Sequence, residues 1–367
     1  MAASSANVAY VTGFRSLTRA LYPSAEFAMF TRHGTALVLP AADVPAAVAD
    51  APDVDHVVCY GACPASFPES LGPEARRVQA ILANTGGDVL DALVSALALL
   101  GVRGGAIGLD ESGLAGTLWP RVIERLGEFD VVAASGHLGE ARRVKAPYEI
   151  ECLDHALRIA EQSVDAVIQA LDRGMTERDA AALYTAEVGK RGAVAWPALV
   201  ATGQRTSIPG PWPTDRALRL GDLVRLGVGC TYKGYSGSVA RTAVLGEPTP
   251  SMDETCVALL AGLDAATAAI SPGARSGRVA EAAAQAAKTA GVPGLDLLGH
   301  GTGLEPRETP AIEPGGAVVL EQGEVLRLGV ARFHIGSIGL SIADTILVTN
   351  AGARLMNRSR HDLIVLD

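Results

Sequence analysis

Two apolar rhythms run along the chain, and the balance between them changes near residue 140. Before that point, short runs of strand length, Phe27-Ala-Met-Phe30, Thr35-Ala-Leu-Val-Leu39, Val57-Val-Cys59 and Ala106-Ile-Gly-Leu109, alternate with stretches of helical spacing over 88–100 and 114–126. His33-Gly34 sits between the first two runs where a hairpin would turn. Such alternation predicts an α/β domain. Residues 136–147, GHLGEARRVKAP, are polar and close on proline, which marks a boundary. Beyond it, Ile150, Leu153, Leu157, Ala160, Val164, Val167 and Leu171 fall on one stripe of a long amphipathic helix. Thr176, with Asp179 three residues on, is a capping pair for a second helix.

From Ala198 strand-like patterns dominate as far as Thr242, broken by the proline-rich stretch 209–213 and turning at Lys233-Gly234. Two alanine-rich helices over 252–270 and 277–290 come next, followed by Gly299-His-Gly-Thr-Gly303. Strands over 324–333 and 339–348 and a short C-terminal one complete the chain. The second region thus holds a crude internal twofold. Each half is two helices followed by two strands, and both first strands carry Arg-Leu-Gly-Val, at 225–228 and 327–330. The expected organisation is α/β (α+β), with an N-terminal α/β domain over 1–143 and a pseudo-twofold domain over 144–367 whose cleft lies between its halves.

Composition narrows the function. At 367 residues, two cores are expected in place of one. A formal charge of -9 without a basic stripe argues against nucleic acid as partner. Apolar runs such as 89–102 are short and contain Asp91, so no membrane span is expected. No signal peptide is visible. Five cysteines, Cys59, Cys63, Cys152, Cys230 and Cys256, lack disulfide or zinc spacing and fit reduced thiols in a cytoplasmic protein.

Several motifs occur together in a recognisable order: Val8-Ala-Tyr-Val-Thr-Gly-Phe14, Val144-Lys-Ala-Pro-Tyr-Glu-Ile150, Gly174-Met-Thr-Glu177, Gly221-Asp-Leu-Val224, Gly234-Tyr235, Arg241-Thr242, Gly299-His-Gly301 and Asp344-Thr345. In order and spacing the chain resembles the pita-bread family of methionine aminopeptidase, prolidase, aminopeptidase P and creatinase, whose N-terminal domain is creatinase-like. The resemblance implies a homodimer. In the metal-dependent members two Asp, one His and two Glu hold two divalent cations. The matching positions here are Gly227, Ser238, His300, Gly329 and Ala343. A lone imidazole does not hold a hard dication against water, so the chain is expected to work without a metal or other cofactor. Two further family histidines match Gly210 and Arg307, and loss of the first also departs from creatinase.

Side chains alternate along a strand. If the family position of Gly227 faces the cleft, Arg225 shares that face, as Arg327 shares the face of Gly329. Either both arginines bend out to rim carboxylates, or they turn in and replace the charge of the lost cations. Inward guanidiniums without carboxylates require an anion, and their forks match a carboxylate or phosphate. His300 is the remaining proton carrier, with Glu308 placed to orient it. Ser238, Ser236, Tyr232, His334 and Arg307 complete the candidate contacts to substrate. Trp196 and Trp212 bracket the altered loop as an apolar wall, and Cys230 points to the opposite face, into the core. Two readings follow. One is a metal-independent enzyme acting on a small anionic substrate by hydrolysis, elimination or rearrangement at a C–N bond. The other is a catalytically silent relative that serves as a binding or scaffold protein.

Overall fold

A computed structural model describes residues 1–22, 24–51, 53–85, 87–294 and 296–366. The chain packs as two units, Met1–Arg142 and Arg143–Asp367. The first unit runs α1 (Ser5–Thr12), α2 (Leu17–Leu21), β1 (Phe27–Thr31), β2 (Gly34–Pro40), α3 (Val44–Asp50), β3 (His56–Tyr60), α4 (Pro73–Leu82), α5 (Val89–Leu99), β4 (Ala106–Leu109), α6 (Leu118–Arg125), β5 (Asp130–Ala133) and α7 (Ser135–Arg143). β1 and β2 form the antiparallel hairpin expected at His33-Gly34, β3 adds in parallel, and β4 pairs with β5. The polar run after residue 135 is helical almost to its proline, and the break in the chain's packing comes at the helix end.

The second unit continues with α8 (Pro147–Ala170), α9 (Glu177–Lys190), β6 (Val194–Ala195), β7 (Leu199–Thr202), β8 (Leu223–Tyr232), β9 (Tyr235–Leu245), α10 (Pro250–Ala268), α11 (Ser276–Thr289), β10 (Asp296–Gly301), β11 (Glu308–Ile312), β12 (Val325–Phe333), β13 (Gly339–Thr349), β14 (Gly352–Leu355) and β15 (Ile364–Leu366). Proline opens α8, where no backbone donor is lost, and Glu149 reaches back to the Ala146 N–H at 2.9 Å. Leu153, Leu157, Ala160, Val164 and Val167 of the apolar stripe are buried. Thr176 and Asp179 cap α9 reciprocally, at 3.1 and 3.0 Å. Among the described residues ten strands form one sheet, in the order β11-β10-β12-β13-β9-β8-β6, with β14 on β13, β15 on β9 and β7 on β8. Lys233, at φ 48, and Gly234, at φ 88, make the tight turn between β8 and β9.

The internal twofold is visible bond by bond. Gly174 N–H donates to Leu218 O at 2.9 Å, and Gly273 N–H to Leu320 O at 2.9 Å. Gly221 N–H donates to Leu245 O at 2.7 Å, and Gly323 N–H to Val348 O at 2.9 Å. Arg225 sits across from Thr242 and Gly227 across from Ala240; Arg327 sits across from Thr345 and Gly329 across from Ala343. One face of the sheet carries the helices. Val224, Leu226, Val228 and Cys230 pack there with α8 and α9, and Leu326, Leu328, Ile342 and Ile346 with α10 and α11. The opposite face, where Arg225, Gly227, Arg327 and Gly329 stand, holds a cavity.

Candidate functional site

The cavity measures about 380 Å³. Arg225, Gly227 and Gly229 come to it from β8, Ser238 and Ala240 from β9, His300 from β10, Arg327 and Gly329 from β12, and Ser341 and Ala343 from β13. Trp196, Leu199, Pro209, Pro306 and Phe333 supply apolar walls, and exposed Arg307 stands at the rim. Among the described residues no Asp or Glu lines it.

Both arginines of the repeated motif face this space, but they are held differently. The Arg225 side chain is buried, only 3% of the residue being exposed. Its terminal nitrogens donate to Pro209 O at 3.2 and 3.3 Å and to Ile208 O, and its guanidinium lies over the Phe333 ring, 4.9 Å from the centroid. Arg327 is half-buried, and its Nε donates to Ser238 Oγ at 3.0 Å. Its two terminal nitrogens have no protein partner among the described residues, which leaves a guanidinium fork free at the cavity. Burial pulls both guanidiniums down to about 10; for Arg327, Asp344 behind the sheet opposes that pull and Arg241 adds to it.

His300 lies directly across from Arg327 in the β10–β12 ladder. Its Nδ1 is 2.9 Å from Gly301 O. A carbonyl only accepts, so Nδ1 carries the proton and Nε2 is left with a lone pair. Burial lowers the imidazole below its ordinary value, and Arg327 and Arg307 lower it further, against the pull of Gly301 O. At neutral pH the ring is therefore a neutral base.

Not every expected contact is present. Glu308 is turned away from His300: its carboxylate pairs with Lys145 Nζ at 2.8 Å, accepts from Glu305 N–H at 3.1 Å and packs on Gly303. Tyr232 belongs to the helix side of β8, where it stacks on His155 at 4.2 Å between centroids. Its offsets from Gly227 and Gly229, five and three positions, are odd, so it points away from the cavity face that those glycines line. Ser236 shares the parity of Ser238 but lies beneath the loop after β10, its N–H donating to Gly303 O at 2.8 Å. His334 is exposed in the β12–β13 turn, and Trp212, 72% exposed, also lies off the cavity. Ser238, Arg307, Arg225, Arg327, Trp196 and His300 do meet there. Cys230 is buried in the core, with Sγ against Ala156 O at 3.3 Å and its thiol pushed by burial to about 12.

Trp196 is fixed by Nε1 donating to Thr231 Oγ1 at 2.8 Å, and its ring fills the space beside Gly229, where a Cβ would meet it at 2.2 Å. Phe333 and the loop carbonyls of Ile208 and Pro209 were not legible in the sequence. Each depends on a segment distant in the chain and carries no motif of its own.

Residues 151–350 match the sequence pattern of metallopeptidase family M24. The chain belongs to that family. An Xaa-Pro dipeptidase of Pyrococcus furiosus is 29% identical over 260 residues, 69% of this chain and 75% of its own length. A probable dipeptidase PepE of Mycobacterium tuberculosis is 32% identical over 250 residues, 67% of this chain and 66% of its own. The fold matches that of an Xaa-Pro dipeptidase from Bacillus anthracis, with a TM-score of 0.83 at 20% identity, covering 100% of this chain and 94% of the other. An X-Pro aminopeptidase from Thermotoga maritima gives 0.81 at 22% identity, with 99% and 92% covered. The M24 chain described here is therefore a mixed α/β protein with a pita-bread C-terminal domain. Its cavity, however, does not fit the divalent metals of the family. Guanidiniums and one imidazole line it, and among the described residues no three His, Cys, Asp or Glu side chains converge. Nor is any helix of the described residues long and apolar enough to cross a membrane.

Proposed function

We propose that this M24 member is a metal-independent enzyme that binds a small anion in the cavity between β8, β9, β12 and β13. One observation carries the reading: the Arg327 fork is open to a cavity in which, among the described residues, no carboxylate answers it. A partly desolvated guanidinium fork without an anion is costly, and an anionic ligand removes that cost. Arg225 contributes charge from the wall and holds the 208–209 loop, while Arg307 draws anions from the rim. His300 Nε2 is the base. For hydrolysis at a C–N bond, Nε2 takes a proton from water as its oxygen bonds to carbon. The same proton then passes to the departing nitrogen.

The second reading, a silent binding protein, draws support from Glu308. Tied to Lys145, it leaves His300 without an orienting carboxylate. Both readings share the anion site and differ at His300. Melting temperatures measured with acetate and inorganic phosphate should rise for the wild type and not for Arg327→Ala; no response in either protein defeats both readings. Once a substrate is in hand, His300→Gln should abolish turnover and keep binding if the protein is an enzyme. Two tightly bound metal ions per chain in the purified protein would overturn metal independence.

A further inference from the structure

The cavity states what its ligand lacks as well as what it carries. Arg225, Arg327 and Arg307 reach it, and His300 is neutral, so the space is cationic. Among the described residues no Asp or Glu lines it, and the carbonyl oxygens of Ile208 and Pro209 are engaged by the Arg225 guanidinium, whose charge repels an ammonium group. A protonated amine placed here would meet only like charge. Trp196, Leu199 and Pro306 add apolar lining, and Phe333 lies against the Arg225 guanidinium. Trp196 is locked by its bond to Thr231, so this wall is preformed and does not collapse onto the polar end. Arg327 offers one planar fork, since its Nε is taken by Ser238, and one fork matches one carboxylate.

We infer that the ligand is a monocarboxylate with an apolar, ring-sized body and no free amine. Its carboxylate would sit on the Arg327 terminal nitrogens and its body against Trp196 and Leu199. The inference rests on the anion-site reading above and sets this chain apart from a protein built for free dipeptides, whose amino terminus is an ammonium at neutral pH.

The test uses the full chain and four probes: 3-phenylpropanoate, phenylalanine, acetate and inorganic phosphate, titrated calorimetrically at pH 7.5. Phenylalanine adds only an ammonium group to the phenylpropanoate skeleton. 3-Phenylpropanoate should bind about tenfold or more tighter than acetate through the apolar wall, and about a hundredfold tighter than phenylalanine through like-charge repulsion. Arg327→Lys, which keeps the charge but loses the fork, should weaken 3-phenylpropanoate about tenfold. Leu199→Ser should weaken it while leaving acetate unchanged. If phenylalanine binds as well as 3-phenylpropanoate, or phosphate and acetate bind as tightly with the same dependence on Arg327, the inference is overturned and the anion site stands. If none of the four binds in a manner that depends on Arg327, the anion site falls too.

Discussion

The two faces of the large sheet treat arginine in opposite ways. On the helix side, Arg241 of β9 is 1% exposed and donates to Asp344 Oδ1 at 2.9 Å, to Ala343 O at 2.9 Å and to Ser359 Oγ at 2.9 Å. Glu161 of α8 stands 4.0 Å away and accepts from Asn357, Arg358 and Ser359. His361 approaches Asp344 Oδ2 at 3.2 Å. On the cavity side, Arg225 of β8 and Arg327 of β12 belong to the same sheet, with β9 and β13 between them, and no carboxylate pairs with either among the described residues. The fold evidently can surround a buried guanidinium with anions, and on the cavity face it does not. The difference separates an arginine that closes a structure from one that waits for a ligand.

The comparison can be broken most forcefully at Arg241. Arg241→Met should cost about 3–5 kcal/mol in urea unfolding, because it strands Asp344 in the interior and cuts a tie between β9 and β13. A loss below about 1 kcal/mol would mean that the helix-side network contributes little and that the contrast is only apparent.

A smaller effect should split the cavity pair. Arg225→Met removes the donors to Ile208 and Pro209 and should destabilise by about 1–3 kcal/mol. Arg327→Met, measured without ligand, should fall within about 1 kcal/mol of the wild type or stabilise it, because it removes an unpaired charge. Equal losses at the two positions would show that Arg327 is structural after all.

The smallest effect concerns pH, where the two faces carry opposite signs. His300 has its folded value lowered from 6.5 by burial and then by Arg327 and Arg307. Its contribution is present above 6.5 and is lost as pH falls from there through the lowered value. His361 is raised, first by its bond to Asp344, with Asp264 adding and burial and Arg241 opposing. That contribution is full below 6.5 and is lost as pH rises through the raised value. Unfolding free energies across pH 5 to 8 (roughly the range in which histidine titrates) should show His300→Gln softening the acid-side loss and His361→Gln removing a gain at acid pH. The same sign for both variants would contradict the contrast between the faces.

Much of this architecture was legible in the sequence because it rests on local rules. Capping at Thr176, the turn at Lys233-Gly234 and the stripe of α8 each follow from residues within a few positions of one another. Strand parity also placed Arg225 and Arg327 on the cavity face and Cys230 in the core, and the family resemblance placed Ser238 at the site. The same parity, applied to Tyr232, would have removed it from the site. Glu308 failed for a different reason: Lys145, 163 residues away, captures its carboxylate. What the sequence could not convey was the state of each guanidinium. Arg225 and Arg327 occupy identical tetrapeptides, and distant segments make them unlike: the 208–209 loop and Phe333 hold one, while Ser238 holds only the Nε of the other.

Gly227 and Gly229, two residues apart on β8, face the same cavity with different freedom. A Cβ at Gly229 would collide with the Trp196 ring, whereas one at Gly227 would rest at 3.6 Å from Leu199, an ordinary contact. The β8 backbone at Gly227 is paired on both sides, with Leu199 on β7 and Ala240 on β9. Alanine at Gly227 would thus fit without moving its neighbours. In evolutionary terms, Gly227 is free to gain a methyl group, whereas Gly229 is held to glycine by the tryptophan beside it.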